Sequence, residues 1–391
     1  MRDTFLNFSP PNIGEEEIQE VLDTLRSDWI TTGPKVRRFE EEFAAFLGAE
    51  AALAVSSGTD AMLVGLAALG VGPGDQVITT PMTFCSTIHV IEHLGARPVL
   101  VDVEPDTLNI DPDAIEKLFS KLRDPSSRIK GIIPVHLYGH PCEMDTILKL
   151  AQQKGLFVLE DAAHGLPARY KDKMVGSLGD LTAFSFYATK NLTTGEGGML
   201  TGTKALLDQA RPWTLHGMSR DAYKRYSAEG SWFYEVILPG FKCNLTDIQA
   251  SLGIHQLKKL PAFQERRRAI VDRYHKAFRE LSEIEVPVER PGVESAWHLY
   301  VIRLNLETLN LDRNRFIEEL KSRNIGTSVH FIPVHLHPYY RDKYGYRPED
   351  FPVAYANYLK MISLPLHTRL SDRDVEEVIE AVTEVVKKFE K

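Results

Sequence analysis

One lysine, Lys190, stands in the stretch FSFYATKNLTTGEGGML, and no other charged residue occurs between Leu181 and Thr194. A lysine set among apolar and aromatic residues is placed for chemistry rather than for solvation. Its amine attacks carbonyl carbon to form a Schiff base once it has lost its proton, so its reference pKa of about 10.4 must fall toward neutrality. A dry pocket and a neighbouring cation both push that way.

Three further segments supply groups that such an amine would need. In AALAVSSGTDAM a strand ends, Ser56-Ser57-Gly58-Thr59 turns the chain, and a helix begins near Asp60. The free N–H groups there, with the hydroxyls of Ser57 and Thr59, make a phosphate cradle, and Gly58 lets backbone come close. A plain helix cap is the equal alternative. In GLFVLEDAAHG an apolar strand ends in Glu160-Asp161, with His164 on the following turn. A carboxylate at that point either keeps a pyridinium nitrogen protonated, making the ring an electron sink, or caps the next helix. His164 either orients a bound ring or is a satisfied polar residue. In PMTFCST, Phe84 offers its face to a flat ring or belongs to the core. Ser185, five residues before Lys190, is placed to reach the phosphate. An amine, a ring-nitrogen partner, a phosphate cradle and a stacking face together point to pyridoxal phosphate.

The elements that position these groups follow from the pattern of apolar residues. Ala51–Val55, Gln76–Thr79, Arg97–Val103, Gly131–Val135, Leu156–Leu159, Leu181–Ala188 and Met199–Thr201 read as strands, with a helix over Asp60–Leu69. Strands alternating with helices through the first 210 residues predict an α/β fold with a mainly parallel sheet between helices, and ligands gather at the carboxyl ends of such strands. From about Ala262 longer helices take over. Ile270, Val271, Tyr274, Phe278 and Leu281 form one stripe; Val375, Val378, Ile379, Val382, Val385, Val386 and Phe389 form another, with Ser371 as its N-cap and Asp374 completing a capping box. We divide the chain into an N-terminal arm and large domain, 1–261, and a smaller C-terminal domain, 262–391. The segment 216–244 carries Tyr223, Tyr226, Trp232, Phe233 and Tyr234 and reads as a long functional loop.

Composition removes other classes of function. The 391 residues carry 46 Lys and Arg against 54 Asp and Glu, a net charge of −8 without a basic face, so a nucleic-acid binder lacks its electrostatic drive. No apolar run reaches the ~20 residues of a membrane span, and the first residues lack a signal-peptide core, which assigns the chain to the cytosol. Cys85, Cys142 and Cys243 are widely separated, with neither disulfide nor metal-site spacing. No GxGxxG follows a strand, against a nicotinamide oxidoreductase.

The segments WITTGPKVRRFEEEFAAFLG, AVSSGTDAM, HLYGHPCEMD, LEDAAHG, FSFYATKNLTTGEGG and GFKCNLTDIQASLG resemble, almost end to end, the DegT family of nucleotide-sugar aminotransferases, fold type I enzymes that use pyridoxal phosphate. The resemblance implies that Lys190 is the Schiff-base lysine and Asp161 the ring-nitrogen partner. It implies that Gly58, Thr59 and Ser185 hold the phosphate, that Phe84 stacks, and that His164 lies at the ring's hydroxyl edge. It also implies a homodimer with shared active sites, in which the segment holding Lys242 and Asn244 crosses to the neighbouring phosphate, Asn244 being the favoured contact. The substrates implied are L-glutamate and a nucleotide-linked keto-sugar, lined by Trp29, Thr32, the partner's loop 216–244, Lys242 and His330. Lys190 in place of histidine argues against the sugar 3-dehydratase branch, and Glu196 favours amination of carbon 4 over carbon 3.

Overall fold

The computed structural model describes residues 2–121, 128–219 and 233–391. A seven-stranded sheet lies at its centre, in the spatial order Ala51–Val55, Gly198–Gly202, Leu181–Ser185, Phe157–Asp161, Ile129–Ile132, Gln76–Thr79, Arg97–Leu100. Gly198–Gly202 pairs antiparallel with both its neighbours, and the other pairings are parallel, so six strands share one direction. The carboxyl ends of these six strands therefore open on one edge, as the α/β reading requires.

Alternation along the strands feeds helices on both faces. Ala52, Ala54, Phe184 and Met199 pack with Phe39 and Phe43 of the helix Pro34–Leu47 and with Ala250, Ile254, Leu257 and Leu260 of the helix Asp247–Phe278. Leu53, Val55, Leu181, Ala183 and Leu200 turn the other way, onto Met62, Val64 and Leu66 of the helix Gly58–Ala68. Gly253 admits Phe39, since a Cβ there would lie 2.5 Å from the ring's Cζ.

The 32-residue helix Asp247–Phe278 runs through position 261. Its first half belongs to the core just described, and Ile270, Val271, Tyr274 and Phe278 join a second core. That second core holds a three-stranded sheet, Ile284–Glu285, Tyr300–Leu304 and Met361–Leu364, and the helix Asp372–Phe389. Both apolar stripes bury as expected, and Ser371 and Asp374 form the expected capping box. Two contacts cross in the other direction. Leu6 of the arm pairs with Ile325 and joins the second core, and Val293–Glu294 pairs with Arg169–Tyr170.

Several strands differ in extent from their apolar runs. The run expected over Leu181–Ala188 stops being a strand at Ser185, because its ladder partner begins at Gly198. The strand expected over Arg97–Val103 ends at Leu100, and the strand expected over Gly131–Val135 lies at Ile129–Ile132. Tyr223, Tyr226 and Trp232 of the expected aromatic loop lie outside the described residues.

Asp247 ties these elements together. Its carboxylate accepts from the N–H groups of Gly33 and Val36 at 2.9 Å and of Lys35 at 3.1 Å, capping the helix Pro34–Leu47 from another part of the chain. Those donors have no intrahelical acceptor of their own. Asp247→Ala should cost about 2 kcal/mol of stability, measured by urea denaturation, by leaving them short of partners; an unchanged midpoint would show that the cap is redundant.

Candidate functional site

The carboxyl ends of the strands Ala51–Val55, Gln76–Thr79, Phe157–Asp161 and Leu181–Ser185 deliver the site. The turn after Val55 is fixed from both sides. Ser56 N–H donates to the Cys243 carbonyl at 2.8 Å, and Ser57 Oγ accepts from Asp60 N–H at 3.0 Å and donates to Asp60 Oδ2 at 2.7 Å. The Ser57 side chain is thus the N-cap of the helix Gly58–Ala68, which leaves the helix's first N–H groups, the partly exposed Thr59 hydroxyl and Ser185 to face an anion. Gly58 is required by space: a Cβ would lie 2.8 Å from Ser185 Cβ. Gly198 is required too, because its Cβ would lie 2.3 Å from the Ser57 carbonyl oxygen.

The strand Phe157–Asp161 separates its two terminal carboxylates by alternation. Glu160 turns away, accepting from Gly179 N–H at 2.8 Å and Thr182 Oγ1 at 2.7 Å and meeting His136 Nε2 at 2.8 Å. Asp161 turns toward Lys190. It is buried, and it accepts from Thr87 Oγ1 at 2.7 Å and from Ala163 N–H at 3.1 Å. Thr87 in turn meets Thr83 Oγ1 at 2.7 Å, so two threonines of PMTFCST aim the carboxylate. Phe84, between them, is 57% exposed, an unusual position for a phenylalanine at a strand end and one that leaves a flat apolar face open.

Lys190 is half-buried in the cleft these groups line. Loss of water pushes its amine down to about 8, and the Asp161 carboxylate acts in the opposite sense. Three imidazoles surround it. His164 is held well below the ordinary histidine value, first by burial and then by the Lys190 charge, and His330 is pushed down to about 4 for the same reasons; His298 is held well below it by burial, then by His164 and Lys190. His164 Nδ1 accepts from Tyr138 N–H at 3.3 Å, so in the neutral ring the proton sits on Nε2 as a donor. The His164 ring lies 4.4 Å from that of His298 and stacks on Phe331 at 5.7 Å; Phe331 is 5.7 Å from Phe84.

Asn244, expected at a phosphate, forms a second group with Trp29, Thr32 and Lys242, expected on the substrate side. Asn244 Nδ2 donates to Thr32 Oγ1 at 2.6 Å, Thr32 Oγ1 donates to the Leu245 carbonyl at 2.5 Å, and Trp29 Nε1 donates to the Thr32 carbonyl at 2.8 Å. Lys242 Nζ donates to Asn244 Oδ1. This group reaches the cradle through the backbone bridge between Asn244 and Val55. His330 stands apart from it, with Nδ1 2.8 Å from Ser363 Oγ and its ring stacked on Phe8 at 5.4 Å. Thr87, His298 and Phe331 were not among the residues singled out from sequence. Thr87 carried a signal, lying three residues after Phe84 on the start of the helix Ser86–His93.

A desolvated amine, a buried carboxylate across from it, a helix N-terminus with an enforced glycine, and an open aromatic face fit a flat, phosphorylated carbonyl compound. The family model of the DegT/DnrJ/EryC1/StrS aminotransferases matches residues 11–383. The chain belongs to this family. Among members, the spore coat polysaccharide biosynthesis protein SpsC of Bacillus subtilis is 52% identical, the alignment covering 99% of this chain and 98% of SpsC. A Streptococcus pneumoniae protein described as a sugar aminotransferase, solved in its PMP form, is 38% identical with a TM-score of 0.91, covering 98% of this chain and 99% of that one. Helicobacter pylori PseC, an aminotransferase of pseudoaminic acid biosynthesis, is 29% identical with a TM-score of 0.90, covering 99% and 100%. Among the described residues no helix is long and apolar enough to cross a membrane.

The Lys190 environment has a measurable consequence in the cofactor-free protein. Modification by a dilute amine-directed reagent, read at Lys190 by peptide mass, should be half-maximal near pH 8 instead of at the ordinary 10.5. Asp161→Asn should move that midpoint lower, because the carboxylate favours the charged amine. Burying the charged amine costs stability most below pH 8, and that cost is relieved as pH rises toward 10.5. A Lys190 midpoint equal to that of surface lysines would remove the desolvated amine from the site.

Proposed function

We propose that this chain is a pyridoxal-phosphate-dependent sugar aminotransferase that carries an amino group from L-glutamate to the keto carbon of a nucleotide-linked keto-deoxy-sugar, with carbon 4 favoured. The observation that carries this reading is Lys190, an amine lowered to about 8 in a cleft it shares with buried Asp161. Bound there, the cofactor supplies an electron sink for the carbon that gains or loses a proton beside the transferred nitrogen. Gly58 N–H, Thr59 and Ser185 hold its phosphate, Phe84 covers its face, and Asp161 keeps its ring nitrogen protonated. His164 offers Nε2–H to the hydroxyl edge.

Lys190 Nζ, freed when the donor's amine takes its place, removes the proton from the donor's α-carbon. In the second half-reaction it returns a proton to the sugar carbon that receives the amine. One side chain serves both directions, so donor and sugar should give ping-pong kinetics.

The wider assignments belong to the same reading. SpsC and PseC, by their names, serve spore coat polysaccharide and pseudoaminic acid, and a nucleotide-linked sugar suits either kind of product. Trp29, Thr32, Lys242 and His330 line the sugar-nucleotide side, and Asn244 meets the phosphate of a second subunit in a cytoplasmic homodimer. Residues 1–261 form the arm and cofactor domain and 262–391 the small domain. The carbon-4 preference rests on the family resemblance of Glu196, whose carbonyl accepts from Thr194 Oγ1 at 2.6 Å and from Gln249 Nε2 at 2.9 Å while the residue itself is exposed.

Incubation with glutamate and a panel of 3-keto and 4-keto sugar nucleotides, read by mass, tests the reaction. Amination of 4-keto sugars is expected, and turnover confined to 3-keto sugars would replace carbon 4 by carbon 3. Lys190→Ala should abolish turnover. Asp161→Asn should lower kcat by at least ~100-fold while leaving the fold intact, since the ring nitrogen loses its partner; a near-normal rate in either variant would overturn the assignment.

A further inference from the structure

His298 lies at the centre of the histidine group, yet the reaction as described gives it no task. Its surroundings fix its hydrogens. Asn191, next in sequence to Lys190, donates through Nδ2 to the Leu166 carbonyl at 2.9 Å and the Ala296 carbonyl at 2.8 Å. Both amide hydrogens are thereby used, and the amide cannot be turned over without losing two bonds. Asn191 Oδ1 must then accept, so His298 Nδ1, 3.1 Å away, carries the proton and Nε2 is bare in the neutral ring.

The backbone of His298 is fixed as well. Arg267, buried in the helix Asp247–Phe278, donates through one guanidinium nitrogen to the carbonyls of Trp297 at 3.1 Å, His298 at 3.3 Å and Leu366 at 3.0 Å. The titratable and charged groups that bear on His298 from the packed elements are His164, Lys190, Arg267 and His330, and each of them opposes a proton on it.

We propose that Asn191 and His298 form a positioning pair that holds the imidazole against His164 and near Lys190 with its hydrogen on Nδ1, and that an amide at 191 makes this bond without bringing the negative charge that a carboxylate would set against the ring. The pair ties the residue after Lys190 to the ring that contacts His164, so the amine and the Nε2–H donor at the hydroxyl edge keep one relative placement. A carboxylate at 191 would accept the same Nδ1–H but would also stabilise an imidazolium, so His298 would gain a titration that the amide does not give it. The proposal rests on the aminotransferase reading for its purpose, but the state of His298 is measurable without cofactor.

The test compares wild type, Asn191→Asp, His298→Phe and the double variant. In cofactor-free protein with 15N-labelled histidine, the resonance missing from His298→Phe identifies His298. Its midpoint in wild type should lie well below that of an ordinary histidine, and Asn191→Asp should raise it. In protein loaded with pyridoxal phosphate, the visible absorbance of Asn191→Asp should gain a transition at that same midpoint, absent from the double variant. A purely structural role lowers Tm in these variants without adding a titration. Ordinary titration of His298 in wild type, an unmoved midpoint in Asn191→Asp, or a new transition that survives in the double variant would overturn the pair. If Asn191→Asp yields no folded protein, His298→Phe decides: kcat for the half-reaction with glutamate should fall about tenfold while KM for glutamate changes less than about threefold, and an unchanged kcat overturns it. A wild-type chain that shows no visible band with pyridoxal phosphate would sink the functional reading instead, and the cofactor-free titration would still decide the pair.

Discussion

Everything at this site depends on holding a lysine amine out of water without trapping it as a permanent cation. Desolvation alone lowers the Lys190 pKa, and the Asp161 carboxylate raises it, the balance falling at about 8. The chain meets this demand with a closed excursion from the sheet. It leaves at Ser185 and returns at Gly198, positions that pair with each other. Within the excursion, Phe186 N–H donates to the Gly197 carbonyl at 2.8 Å and Thr194 N–H to the Phe186 carbonyl at 3.0 Å. Lys190 therefore sits on a loop whose two ends are strands of the same sheet.

The antiparallel strand Gly198–Gly202 serves a second purpose. By entering between Ala51–Val55 and Leu181–Ser185 it sets the spacing of their two carboxyl ends, which come close together. The approach is close enough that side chains are excluded at both contact points: Gly58 against Ser185, and Gly198 against the Ser57 carbonyl. The helix Gly58–Ala68 is then aimed by its own cap, Ser57 with Asp60, and by the bond from Ser56 to Cys243. Binding geometry is thus a property of sheet order, and the hydroxyls at the turn mostly maintain it.

Much of this was legible in the sequence because local chemistry marks it. Lys190 stood out by the absence of charge around it, Gly58 by its place before a helix, and Asp161 by ending an apolar strand. The alternation of strands gave the layered architecture and both stripes of the second core. What stayed hidden arises between segments far apart in the chain. Thr87 reaches Asp161 across 74 positions and His298 reaches Asn191 across 107, and neither residue type is unusual in its own neighbourhood. The end of the strand at Ser185 was likewise hidden, because Phe186 to Ala188 are as apolar as the strand itself; pairing with Gly198, not propensity, stops it. Ser57 shows the opposite limit. Its hydroxyl was equally readable as cap or cradle, and only the geometry of Asp60 assigns it to the cap.

Buried His136 and His298 have ring nitrogens fixed by partners of different kinds. His136, fully buried, gives Nε2 to the Glu160 carboxylate at 2.8 Å and accepts Cys142 N–H on Nδ1 at 3.1 Å. Glu160 also takes donors from Gly179 and Thr182, so that carboxylate is satisfied on the side of the strand away from Lys190. His298, on the Lys190 side, has an amide for its partner. The strand's alternation is what keeps the two arrangements apart: adjacent residues 160 and 161 send one carboxylate behind the sheet edge and one into the cleft. A cleft holding one carboxylate and neutral imidazoles leaves Asp161 as the negative charge acting on the Lys190 amine. With a second carboxylate at the imidazoles, the amine would be held as a cation and the reactive form would become scarce.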